Sequence, residues 1–225
     1  MKNLYEIKNR LVRKSDTVPS KSSFIDSHNT GSHLKDNFST IGPGVTENNN
    51  PCVITREPHE FYICATGQPP HIKTSLHRHF TAEVFIIHEV TFKIFWSLDA
   101  QNKTKLFEGD LISIPTHCFR GFENIGKKYG FLYTILGGED AGGVESAPQV
   151  FKDAEVLGLI LLEDLGIWDI NENTIPKKAK IIESMNYEKA NNFDYYSIDQ
   201  MEKRIYRSGS FLNVFKSSFK IWRIW

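Results

Sequence analysis

The chain has no charge excess: Lys and Arg total 27, and Asp and Glu total 27. That balance leaves no electrostatic footprint for nucleic acid or for an anionic membrane surface, so neither is an expected partner. Cysteine is scarce. Cys52, Cys64 and Cys118 are odd in number and form no C-x-x-C pair. A disulfide framework is not expected, and a reducing compartment is. No apolar run reaches the roughly 20 residues that a membrane-spanning helix needs. The opening Met1-Lys-Asn-Leu-Tyr-Glu lacks the apolar segment of a secretory leader. A cytoplasmic protein is the expectation. Strands alternating with long helices are also missing, which argues against a doubly wound α/β sheet.

What remains is ordinary for one sizeable core: 225 residues, 40% hydrophobic and 12% aromatic. Residues 1–37 are rich in Ser, Lys, Asn and Asp. They read as a flexible or draped segment, with a short helix expected near 4–12. Turn formers crowd Ile41-Gly-Pro-Gly-Val-Thr-Glu-Asn-Asn-Asn-Pro51. Short pieces rich in Phe, Ile, Val and Tyr follow at 52–55, 60–65, 72–77, 83–87, 91–98, 105–107, 110–114, 120–123 and 129–136. Gly, Pro, Asn and Asp break them every eight to twelve residues or so, the rhythm of an antiparallel sandwich or barrel. The barrel region is read as 38–146. One helix is expected from Pro148, stopping near Gly158, with loop to 176. Residues 177–225 are an aromatic-rich extension that must pack on something.

The chemistry concentrates between Leu76 and Asn124. His77, His79 and Glu83 fall within seven residues. On a strand, positions i and i+2 share a face, so both imidazoles point into one interior. Glu83 follows a short tip and opens the next strand. Two imidazoles and a carboxylate suit a divalent transition metal, whether Fe, Mn, Ni, Cu or Zn. The bland alternative is a pair of surface histidines beside a solvated glutamate. Gly109 and Asp110 read as a turn feeding a strand that ends at Pro115. Arg120 cannot ligate a metal, because guanidinium stays protonated. It either grips an anionic group in the cavity or pairs with Glu83 or Glu123 as a brace. His117 is a fourth ligand, an acid/base group, or a loop histidine. Asn124 reads as a strand-end hydrogen bonder and Cys118 as a small buried residue. Phe85, Ile87, Phe92, Phe95 and Trp96 are core or cavity-wall candidates.

Together the two pieces resemble the paired signature of the cupin superfamily. Its first motif runs G-x5-H-x-H-x3/4-E-x6-G. His77, His79 and Glu83 match its ligands, and Val90 replaces the closing glycine. Its second runs G-x5-P-x-G-x2-H-x3-N. Gly109, Pro115 and Asn124 match, His117 replaces the middle glycine, and Arg120 replaces the fourth ligand. The wider phrasing is similar to bacterial single-barrel cupins often labelled quercetin-dioxygenase-like. The resemblance covers roughly residues 38–175. It implies a mainly β fold, a jelly-roll-like antiparallel barrel with short helical extensions at both ends. It also implies metal ligation by His77, His79 and Glu83.

The function expected from this is a metal-dependent, dioxygenase-like oxidoreductase acting on a small organic substrate, an anionic one where Arg120 grips it. Arg120 and His117 are its candidate catalytic residues. Two alternatives accompany it: a metal-free small-ligand binder using Arg120, and a degenerate barrel of structural value only. A homodimer through the aromatic tail or a strand edge is a further expectation.

Overall fold

The computed structural model describes residues 11–42, 44–48, 53–55, 60–138, 143–193 and 195–209. The helix expected over 4–12 lies largely outside them, as do the aromatic residues after 210. Strands come where the turn residues allow. They are β1 (Asp36–Ile41), β2 (Val53–Thr55), β3 (Phe61–Gln68), β4 (His77–Arg78), β5 (Glu83–Glu89), β6 (Phe92–Trp96) and β7 (Asn102–Leu106). They continue with β8 (Leu111–Ile114), β9 (Arg120–Asn124), β10 (Gly130–Gly137) and β11 (Glu145–Ser146). Next come α1 (Pro148–Val156), the hairpin β12 (Leu159–Leu162) and β13 (Gly166–Asp169), α2 (Tyr187–Asn191), α3 (Ile198–Glu202) and β14 (Ile205–Tyr206).

Two sheets face each other. One has seven strands in the order β14-β8-β5-β10-β3-β1-β2, the other five in the order β11-β4-β9-β6-β7. Pairing is antiparallel except between β1 and β2. The mainly β, jelly-roll-like barrel expected from the sequence is therefore what the chain forms. Period-two alternation explains the sheets' inner faces: in β5, Glu83, Phe85 and Ile87 point in while Val84 and Ile86 are less covered.

Phe85, Ile87, Phe92, Ile94, Trp96, Leu106 and Ile112 fill one part of the barrel and are essentially inaccessible. Each such side chain contributes about 1.5–3 kcal/mol of burial. This packing is what joins the two sheets. Phe95 is buried as well, so all five aromatic and aliphatic candidates sit in the interior. Trp96 donates its indole N–H to the Tyr196 carbonyl at 2.8 Å. Met201, on α3, completes that floor at 0% exposure. Ser197 caps α3 by accepting from the Gln200 N–H, and the Gln200 side chain accepts from the Ser197 N–H. Residues 195–206 thus cross the barrel and end as an edge strand on β8.

Two local readings differ. The helix α1 starts at Pro148 and is stopped by Gly158 at φ +77°, as expected. The apolar run Leu159-Ile-Leu-Leu162 is then a strand, paired with Gly166–Asp169 in what the sequence suggested was a loop. A continuous apolar run has no period of its own, so the two cases look alike in sequence. The strand expected over 72–77 is formed only at His77–Arg78, with Lys73 making a single bridge to Glu123. The N-terminal stretch is tied down at several points. Ser20 bridges Asn37, the Lys73 N–H donates to the Gly31 carbonyl at 2.9 Å, and Asn29 donates to the Val150 carbonyl at 3.2 Å. Ile25 is buried beside Phe119, Ala147 and Val150.

Candidate metal centre

The chain crosses from one sheet to the other between β4 and β5, and that crossing builds the site. His77 lies opposite Arg120 across the β4–β9 pair. Glu83 lies opposite Ile114 on β8 and Leu136 on β10. His79 stands just past the end of β4. One ligand atom from each of His77, His79 and Glu83 lies within 4.8 Å of the others. The His77 and His79 rings meet edge to face at 5.3 Å. Arg78, between them, points the opposite way, stacks on Phe193 at 3.5 Å and pairs with Glu145. That is the alternation expected of an extended chain.

Hydrogen bonds set the chemistry of the imidazoles. His77 Nδ1 is 2.8 Å from the Ser75 carbonyl, and His79 Nδ1 is 2.8 Å from the Gly143 carbonyl. A carbonyl only accepts, so each Nδ1 must carry the proton. In the neutral ring Nε2 is then a bare lone pair, the form that binds metal. Burial drives both histidines well below the ordinary imidazole value, and the Arg120 charge pushes the same way. Both rings are thereby held neutral and ready to ligate.

Glu83 is 2% exposed and Arg120 is 1% exposed. Arg120 Nε donates to Glu83 Oε2 at 2.7 Å, and Nη2 reaches the same oxygen. Nη1 donates to the carbonyls of His77 at 3.2 Å and Cys118 at 3.4 Å. The guanidinium therefore joins β9, β4 and Glu83. Of the two roles open to it in the sequence, the pairing with Glu83 is the one formed. It leaves Glu83 Oε1 turned toward His79 Nε2, 3.6 Å away. Burial pushes the Glu83 carboxyl above its ordinary value, and Arg120 works against that shift by stabilising the anion.

A cavity of about 70 Å³ adjoins the cluster, with His77, His79 and Glu83 in its wall. That is room for a few water molecules or a very small ligand. Phe122, Cys64 and Thr134 line it from the sheets, and Ser23, Asp26 and Lys35 from the N-terminal stretch. Burial pushes the Cys64 thiol up to about 12, so it stays protonated and inert as a nucleophile. His117 is elsewhere. Its Nδ1 accepts from Arg78 Nη1 at 3.1 Å, and its ring lies against Phe80 and Phe193. Asn124 does what the sequence suggested. It donates to the carbonyls of Gln68 and Lys128 and accepts from the Gly126 N–H, closing the turn after β9.

The sequence reading missed Asp26 and Lys35. They are buried, pair with each other, and border the cavity. They sit nine residues apart in a polar stretch with no periodicity, and only the tertiary fold brings them to the site.

Fold and cluster together define a jelly-roll-like antiparallel β-barrel with a His-His-Glu group between its sheets. No protein-family profile matches the sequence, and no curated protein does. Among solved structures, the chain is similar to the polyketide cyclase RemF from Streptomyces resistomycificus. The identity is 12% and the TM-score 0.44, over 60% of this chain and 83% of that one. It is similar to an uncharacterised protein with a double-stranded β-helix domain from Klebsiella pneumoniae, with 14% identity and TM-score 0.37 over 40% and 74%. It is also similar to an oxalate oxidase in complex with the substrate analogue glycolate, with 15% identity and TM-score 0.37 over 41% and 48%. The chain spans about half the length of that oxidase. Likenesses at these scores carry no weight for chemistry, and the site stands on its own geometry.

Proposed function

We propose that this chain is a small-molecule enzyme whose His77, His79 and Glu83 hold a divalent transition metal, and that its reaction is oxidative and dioxygenase-like. The observation that carries the reading is the fixed tautomer of both histidines. Two backbone carbonyls take the Nδ1 protons and leave two Nε2 lone pairs beside Glu83 Oε1. Surface histidines have no reason to be covered and aligned in this way, one half-buried and one buried. A two-His, one-carboxylate set leaves coordination positions for substrate and oxygen. When bound, such an ion supplies Lewis acidity and, if redox-active, electrons to oxygen. The protein's own residues orient and exclude. Arg120 is a positioning residue that fixes which oxygen of Glu83 faces the histidines. The small cavity limits the substrate to a few heavy atoms.

A second reading has its own support. The Arg120–Glu83 pair already neutralises the carboxylate, as a metal-free binding pocket would require. Metal analysis of protein purified without a histidine tag separates the two. The enzyme reading expects close to one equivalent, lost in His77→Ala. Less than about a tenth of an equivalent, unaltered by His77→Ala, would sink it.

A further inference from the structure

We propose that Lys35 and Asn37 form an anion-binding subsite in the wall of the same cavity, and that the ligand it takes is a small carboxylate. Only the identification of this ligand as the substrate rests on the function proposed above.

Lys35 is 3% exposed, and lysine is almost never buried without reason. It lies on the cavity wall, pairs with Asp26, and stands over the Phe24 ring at 5.3 Å. Asp26 is fixed in turn, because its other oxygen accepts from the Ser75 N–H at 2.9 Å. An ammonium group has three N–H donors. Among the described residues Asp26 is its one hydrogen-bond partner. Two donors therefore remain on an ammonium group that Asp26 holds in place against the cavity wall.

Asn37 stands two residues further on, the spacing that puts both side chains on one face of an extended chain. It too lines the cavity. Its Nδ2 is buried and has no hydrogen-bond partner among the described residues. Buried amides are seldom left unpaired, so such a group calls for an explanation. If the Asp26–Lys35 pair only pinned the N-terminal stretch to the barrel, Asn37 would have no part in it.

Both groups offer N–H donors and lack acceptors. A ligand that answers an amide is an acceptor, and one that also answers an ammonium is an anion. A carboxylate meets both, one oxygen to each. The cavity's size keeps it to a few carbons. His77, His79 and Glu83 line the same cavity, so the rest of such a ligand extends toward the His-His-Glu cluster. Arg120, the cation the sequence offered for this task, is wholly engaged with Glu83 and two carbonyls.

The test is isothermal titration calorimetry on the full chain after chelator treatment. Acetate and pyruvate serve as probes and acetamide as the uncharged comparator. Wild type is expected to bind at least one carboxylate, about tenfold or more tighter than acetamide, and Asn37→Leu to weaken it by about tenfold or more. The double variant Asp26→Asn/Lys35→Met removes the charge pair together and keeps an acceptor for the Ser75 N–H. It is expected to abolish binding while melting cooperatively. No carboxylate binding to wild type, equal affinity for acetamide, or unchanged affinity in Asn37→Leu overturns the subsite. Binding is read without metal, so a failure of metal uptake overturns the enzyme reading separately and leaves this result standing.

Discussion

Arg120 and Glu83 are each other's charge partner, and both side chains are buried. Removing one alone leaves a buried, uncompensated group. Arg120→Met is therefore expected to cost about 3–5 kcal/mol in urea denaturation, and Arg120→Met/Glu83→Leu to recover most of it. A double variant as unstable as the single one would contradict the coupling. Two other residues explain themselves through the backbone. His117 has φ +62° and Val90 has φ +63°. These are two of the positions where the cupin motifs have glycine, the residue that adopts such angles without strain. Here a histidine that accepts a hydrogen bond from Arg78 and stacks with Phe193, and a half-buried valine, occupy the left-handed region instead. Val90 is β-branched, for which that region is especially costly. Val90→Gly should be more stable than Val90→Ala by about 1 kcal/mol, reversing the usual order of those residues in a strand. Thermal melts of the two variants decide it, and a more stable alanine would refute the strain.

The strands of the barrel were legible as elements because turn residues punctuate them and inward side chains alternate. His77, His79 and Glu83 were legible for the same reason, since strand parity alone puts the two imidazoles on one side. The N-terminal stretch was not. Its role depends on contacts such as Asp26 with Ser75 and Asn29 with Val150, which span 49 and 121 residues. Nor could sequence decide Arg120, because both of its candidate partners were acidic and near. The N-terminal stretch carries a pH signature of its own. Glu47 accepts from the Ile25 N–H at 2.6 Å, and its own N–H donates to the Ser23 carbonyl. Burial pushes its carboxyl up from 4.5 to about 7, and Asp26 adds to the rise. Between those values the folded chain holds more protons than the unfolded one. Stability from this group is thus greatest below pH 4.5 and is lost as pH rises through 7. The slope is at most about 1.4 kcal/mol per pH unit. Glu47→Gln keeps the acceptor for Ile25 and should flatten the difference between pH 5 and pH 8 in denaturant titrations. An unchanged pH profile would mean that Glu47 is not protonated in the fold.

At the scale of the molecule, one barrel holds two functions apart. Its packed part, around Phe92, Trp96 and Met201, supplies stability, and its open part holds the His-His-Glu cluster. No helix among the described residues is long and apolar enough to cross a membrane. A metal at the cluster would join both sheets, since His77 belongs to one and Glu83 to the other. Binding to the folded state alone must then raise the melting temperature. At a free metal concentration 100 times Kd the gain is about 2.7 kcal/mol, or roughly 5–11 °C for a chain of this size. The most direct measurement is the melting temperature of chelator-treated wild type, His77→Ala and Glu83→Gln, each with and without Fe(II), Mn(II), Ni(II), Cu(II) or Zn(II). The metal reading expects at least one ion to raise wild type by that margin and to leave both variants unmoved. A wild type unmoved by every ion, or variants that rise as far as wild type, would contradict it.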